Sequence, residues 1–251
     1  MTLDAFGGDP VFLALLLGAL LLGGFVKGVV GIGLPLVTIP LLALKMPPAQ
    51  AIAVMMLPIV ASNLWQVATC GDVRVTARRF WPVTAVLIAA TAVGTLVLVN
   101  IDAGSARTAL GAIVIGVILL QTLVGGRVRV TERFERPAGL AAGAVAGVVG
   151  GMSNAFGPPL VIYLMALRLK PGDFLSATAF LFLAGGLPLY GGLILAGEFR
   201  QSEAILSLLA CLPVAAGMAL GGRVRGYLPE KQFRHAVTIV LIVVGLSLVL
   251  R

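Results

Sequence analysis

The sequence predicts an all-α integral membrane protein of two inverted repeats, each a broken re-entrant helix pair followed by three transmembrane helices. Three observations lead there. The chain of 251 residues is 59% hydrophobic and only 11% charged, against roughly 25% charged in soluble domains. Its apolar runs have the length of a membrane span, except for two that are too long and broken in the middle. Its basic residues collect on one face once the broken runs are folded back. A soluble core of this size would leave much of its apolar side-chain area facing water, and the bilayer is the solvent that accepts it. The length leaves room for short loops but no separate soluble domain, so residues 1–251 are read as one membrane domain.

Taken in order, the first ten residues carry Asp4 and Asp9 and no Lys or Arg. They lack the basic start of a secretory signal, so the apolar run behind them is expected to stay in the mature protein. Apolar runs follow at 11–44, 48–69, 80–99, 105–124, 137–168, 173–197, 203–221 and 231–250. Most have the ~20 residues that cross a ~30 Å hydrocarbon core as a helix. The run 11–44 is interrupted by Gly31-Ile32-Gly33-Leu34-Pro35. The run 137–168 is interrupted by Gly150-Gly151-Met152-Ser153-Asn154-Ala155-Phe156-Gly157-Pro158-Pro159.

The interruptions are also where the chain repeats itself. Lys27-Gly28-Val29-Val30-Gly31 aligns with Ala146-Gly147-Val148-Val149-Gly150. After a short insertion in the second copy, Gly33-Leu34-Pro35-Leu36-Val37 aligns with Gly157-Pro158-Pro159-Leu160-Val161, and the same offset places Pro47 on Pro171. A glycine motif alone could reflect packing pressure, but a matched motif and prolines at near-constant offset point to internal duplication. Repeat one covers 11–124 and repeat two 137–250, joined by a basic cytoplasmic linker at 125–136.

Charge orients the halves. If each broken run dips in and returns to its own side, the loops at 70–80, 125–136, 169–172 and 222–234 share a face with 13 Lys and Arg, and the opposite face holds 4. If each broken run crosses once, the split is 9 against 8 and gives no orientation. The first arrangement obeys the positive-inside rule. It places the basic face in the cytoplasm and both termini on the non-cytoplasmic side. Each half then crosses an odd number of times, so the second copy is inverted, a pattern found in secondary transporters.

Backbone that leaves the helix at mid-membrane depth is tolerated only where protein or a water-filled cavity covers it. Pro35 and Pro158 suit the first turn of a following helix, where no N–H is needed. The free N–H groups and positive dipole end of that helix point back at the break. Two such ends facing each other would make an anion site. Gly31, Gly33, Gly150, Gly151 and Gly157 would let backbone approach a ligand closely, or serve tight helix packing instead. Lys27 lies deep in its apolar run, one turn before the break. There it is a functional candidate by default, unless a short first arm lets it snorkel to an interface. Ser153 and Asn154 offer neutral hydrogen-bond groups in the second break. Asn63 and Gln66, one turn apart, either face the same cavity or act as interhelix glue. Tyr163 and Tyr190 either present hydroxyls to the cavity or pack. The expected substrate-binding set is Lys27, Gly31, Gly33, Pro35, Asn63, Gln66, Ser153, Asn154, Gly157 and Pro158.

Other classes fall away. The net charge of +8 is scattered over short loops, so nucleic acid is not an expected partner. Every Asp and Glu falls at or near a loop or segment end, which argues against a proton pump or a divalent-cation carrier. Cys70 and Cys211 stand alone, and His235, the only histidine, lies near the basic face. No catalytic set, metal cluster or phosphate loop is present, so neither an enzyme nor a cofactor is expected.

At the two breaks the sequence resembles the TauE/SafE sulfite exporter family of bacterial membrane permeases. The matching stretches are Gly24-Phe25-Val26-Lys27-Gly28-Val29-Val30-Gly31-Ile32-Gly33 with Pro40, and Gly147-Val148-Val149-Gly150-Gly151 with Gly157-Pro158-Pro159-Leu160. The resemblance implies transport of a small sulfur-containing anion (sulfite, a sulfonate or sulfoacetate) across the bacterial cytoplasmic membrane, usually outward. An anion channel or an uptake permease of the same class stays open, as does a non-transporting assembly factor. The expected partners are a small organic or inorganic anion and the lipid bilayer, with a homodimer as an open option.

Overall fold

A computed structural model describes residues 10–124, 130–225, 227 and 230–250. The acidic start at Asp4 and Asp9, linker residues 125–129 and the His235 side chain lie outside the described residues. Among those described there are only helices: α1 (Pro10–Val30), α2 (Leu34–Ala43), α3 (Pro48–Thr69), α4 (Val73–Asn100), α5 (Ala103–Val124), α6 (Glu132–Ser153), α7 (Gly157–Ala166), α8 (Pro171–Leu195), α9 (Gln201–Val224) and α10 (Glu230–Val249). Prolines open α1, α3 and α8, where their missing N–H costs nothing. Asp72 and Asp102 cap the starts of α4 and α5 by accepting from the Arg74 N–H at 2.8 Å and the Gly104 N–H at 2.9 Å.

Among the described residues six helices are long and apolar enough to cross a membrane: α1, α3, α4, α5, α8 and α9. The apolar helices α2 and α7 are shorter, 10 residues each. Both long runs are therefore broken helix pairs, but with unequal arms. The 21 residues of α1 rise about 32 Å, a span length, and α2 rises about 15 Å. Two helices start earlier than their apolar runs: α4 at Val73 rather than 80, and α6 at Glu132 rather than 137. The extra turns are rich in Arg and Glu, good helix formers that hydropathy does not register. Part of the 125–136 linker is thus helix.

The chain forms two compact units. The first comprises Met1–Ile59, Ile101–Ile115 and Leu193–Arg251; the second comprises Val60–Asn100 and Gly116–Gly192. Each unit draws on both halves of the sequence.

In the first unit α2 folds back antiparallel along α1, with Gly23 facing Leu34 and Thr38, and Val26 facing Gly33. α1 also packs parallel to α9 through small residues: Gly24 and Gly28 lie against the α9 backbone at Val214 and Met218, and Gly217 and Gly221 lie against α1 at Leu21 and Phe25. In lipid, where apolar side chains gain little by leaving their solvent, such close backbone approach supplies the van der Waals attraction that joins helices.

The second unit repeats the scheme. α7 folds back along α6, and the Val130 N–H donates to the Ala166 carbonyl at 3.4 Å, so the start of α6 and the end of α7 meet. α6 packs parallel to α4, with Gly143, Gly147 and Gly151 on the α4 backbone at Val83, Leu87 and Thr91, and Gly94 on Val148. Each broken pair is thus braced by a helix distant in sequence, α9 for α1 and α4 for α6.

Candidate functional site

In the first unit the break is Gly31–Gly33. Gly31 has φ 86° and Gly33 φ 101°, a region that a Cβ disfavours. The Gly31 N–H closes α1 on the Lys27 carbonyl at 2.7 Å, and the Val37 N–H opens α2 on the Gly33 carbonyl at 3.2 Å. The first turn of a helix leaves its N–H groups without intrahelical partners. Here Gly33, Leu34 and Leu36 carry such groups, and Pro35 has none to leave. Leu34 and Pro35 are buried, whereas Gly31–Gly33 are half-exposed. Thr38 donates its hydroxyl to the Leu34 carbonyl at 2.5 Å inside α2.

Lys27 sits in the last turn of α1. The residue is buried, only 5% exposed. Four predicted site residues, Lys27, Gly31, Gly33 and Pro35, belong to this unit.

In the second unit the break is shorter than the sequence suggested. α6 continues to Ser153 and α7 begins at Gly157, so Gly150 and Gly151 are helical and not part of the break. Gly151 packs on the α4 backbone, and a Cβ on Gly150 would enter the Phe156 ring. Of the two roles open to these glycines, packing is the one they fill. Asn154 makes the turn with φ 59°, and its N–H donates to the Gly150 carbonyl at 2.6 Å. Its side-chain Nδ2 donates to Tyr190 Oη on α8 at 3.0 Å. The Ser153 hydroxyl donates to the Val149 carbonyl at 2.6 Å and accepts the Ala155 N–H at 3.2 Å, so it serves the end of α6.

Ser153 and Asn154 are each 2% exposed. Phe156 is fully buried and lies against Phe182, ring centroids 6.3 Å apart, with Gly150 and Gly185 leaving room for its ring. Gly157, Pro158 and Pro159 form the first turn of α7, where the two prolines remove two of the usual donors. Asn63 and Gln66 on α3 are in this unit too, both buried.

Sequence reasoning missed Phe156 and the partner of Asn154. An isolated Phe in an apolar run carries no signal, and Tyr190 is 36 residues from Asn154. Tyr163, the other tyrosine considered, packs edge-on against Phe80 with centroids 6.3 Å apart.

Span-length apolar helices, together with broken helices whose second arms start in the protein interior, define a multi-pass membrane protein. A family model described as Sulfite exporter TauE/SafE matches residues 15–248, and the chain belongs to that family. No curated protein and no solved structure matches it.

Proposed function

We propose that this protein is a secondary transporter that exports a small sulfur-containing anion, of the sulfite, sulfonate or sulfoacetate class, across the bacterial cytoplasmic membrane. The observation that carries the proposal is Lys27: a lysine 5% exposed in the last turn of α1, directly before the Gly31–Gly33 break from which α2 begins. A buried lysine beside a glycine-lined helix start suits an anion stripped of water, which would favour its charged form. The residues assigned to the anion are Lys27, Gly31, Gly33 and Pro35 from the first break, and Ser153, Asn154, Gly157 and Pro158 from the second, with Asn63 and Gln66 on α3.

The anion is passed by alternating access of inverted halves, with both termini on the non-cytoplasmic side. The meeting of Val130 and Ala166 supports a hairpin that returns to its own face, which is what the charge count requires. The membrane potential supplies the drive. One negative charge moving outward through about 100 mV releases ~2.3 kcal/mol, roughly fifty-fold in concentration.

Proteoliposomes loaded with sulfite test this. Efflux should follow an imposed potential and fall to background in Lys27→Ala, with the variant still folded. Efflux that ignores the potential but follows a proton gradient would overturn the energetics. Unaltered efflux in Lys27→Ala would overturn the site. A thermal-shift screen against sulfite, sulfate, thiosulfate and short sulfonates identifies the anion, since a ligand at one hundred times its dissociation constant adds about 2.7 kcal/mol.

A further inference from the structure

The parallel packing of α4 and α6 brings two helix starts side by side within one unit, and both starts are basic. Between them is a cleft of about 360 Å³ lined by Arg78, Arg79, Trp81, Arg133, Glu135 and Arg136. Glu135 holds Arg79 in a two-pronged pair, Nε to Oε1 at 2.8 Å and Nη2 to Oε2 at 3.1 Å. One carboxylate cannot balance four guanidinium groups, so the lining keeps three positive charges in excess. The positive dipole ends of α4 and α6 add to the same potential. None of these residues belongs to the helix breaks.

The level of the cleft along the helices identifies its ligand. On one side lie the polar starts of α4 and α6. On the other α6 turns apolar and presents Leu140, 38% exposed, on the same face as Arg136 one turn before it, which suits an acyl chain. Trp81 at 64% and Phe134 at 58% exposed flank the transition, as aromatic side chains do at the headgroup level of a bilayer. Guanidinium groups bind phosphate oxygens through paired, charge-assisted hydrogen bonds.

We infer that the α4–α6 cleft binds the phosphodiester headgroup of an anionic lipid. Glu135 fixes Arg79 as one wall, and Arg78, Arg133 and Arg136 take the phosphate. By the charge-derived orientation this lipid belongs to the cytoplasmic leaflet.

The test uses the purified full-length protein in neutral detergent, titrated with phosphatidylglycerol, phosphatidylcholine or inorganic phosphate, with thermal unfolding as readout. Phosphatidylglycerol is expected to raise the midpoint, phosphatidylcholine to leave it, and inorganic phosphate to act only at far higher concentration. Each surface guanidinium removed should weaken the apparent affinity roughly fivefold, and Arg78→Gln, Arg133→Gln and Arg136→Gln together about a hundredfold. Equal stabilisation by phosphatidylcholine, or unchanged affinity in the triple variant, overturns the proposal. Inorganic phosphate matching the lipid overturns the lipid assignment in favour of a free-anion site. If the triple variant does not fold, Trp81 fluorescence in a Trp65→Phe background decides: brominated phosphatidylglycerol should quench it more than brominated phosphatidylcholine, and equal quenching refutes the site. Sulfite efflux is read separately, so loss of the transport proposal leaves this one standing.

Discussion

Asn154 is the residue on which the second break turns, and two substitutions separate its two contributions. Its backbone is left-handed, φ 59°, a conformation that costs an ordinary L-residue about 1–2 kcal/mol and that Asn tolerates better than most. Its side chain donates to the buried Tyr190 hydroxyl at 3.0 Å. Asn154→Gly removes the hydrogen bond and leaves the turn unstrained. Asn154→Ala removes the bond and strains the turn. Leaving a buried polar group short of a partner costs about 1–3 kcal/mol, so Asn154→Gly should lose that amount and Asn154→Ala about 1 kcal/mol more. Tyr190→Phe removes the same bond from the other side, so Asn154→Gly combined with Tyr190→Phe should cost clearly less than the two single losses added. Scanning fluorimetry in detergent gives the order of the unfolding midpoints, and sulfite efflux from proteoliposomes gives the functional cost. Equal midpoints for the Gly and Ala variants would refute the strain argument. Strictly additive losses in the double variant would refute the hydrogen bond.

Further outcomes follow from the packing and the caps. Phe156→Ala empties the pocket formed with Phe182 and should destabilise the protein by about 3–5 kcal/mol. Gly150→Ala should be comparably harmful on its own, because the new methyl meets the Phe156 ring, and Phe156→Leu should partly rescue it, both read as unfolding midpoints. Gly28→Leu drives a side chain into the α9 backbone near Gly222, 2.9 Å from the added Cβ, and should cost at least about 1–3 kcal/mol by overpacking. Gly18→Ala in the same helix meets nothing within 4 Å and should be near neutral. Asp102 is held below the usual carboxylate range, first by the Ser105 hydroxyl and then by the Ser105 N–H. Because its folded value is depressed, its contribution is complete above the ordinary value of about 4 and is lost as pH falls through the folded value. Asp102→Asn should therefore lower the midpoint at neutral pH and flatten its fall in acid.

The membrane class and the number of helices were legible because hydropathy follows directly from the solvent a helix must face. Both breaks were legible because glycine and proline disfavour helix wherever they cluster. The extent of the second break was not, since Gly150 and Gly151 serve close packing on α4 and Phe156, and glycine looks the same in a sequence whether it turns a chain or admits a neighbour. The early starts of α4 and α6 were hidden for the opposite reason: Arg and Glu continue a helix out of the apolar layer without a hydropathy signal. The pairing of α1 with α9 and of α6 with α4 depends on contacts far apart in the chain, which periodicity within one helix does not encode.

The two breaks differ in ways that bear on the proposed anion site. The first keeps N–H groups at Gly33, Leu34 and Leu36, leaves Gly31–Gly33 half-exposed, and has the buried Lys27 one turn away. The second has Ala146 at the position of Lys27, spends two first-turn donors on Pro158 and Pro159, and is closed by Phe156. Its side-chain polar groups are already engaged, Ser153 with α6 and Asn154 with Tyr190. A lysine at the position of Ala146 would carry a desolvation cost of its own. On the proposed function, the first break therefore supplies the charge and the second a rigid neutral turn. It follows that Lys27→Ala should act on anion affinity with little change in the unfolding midpoint of the empty protein, whereas Asn154→Gly should act on the midpoint first. The reverse pattern would mean that the second break, not the first, carries the ligand.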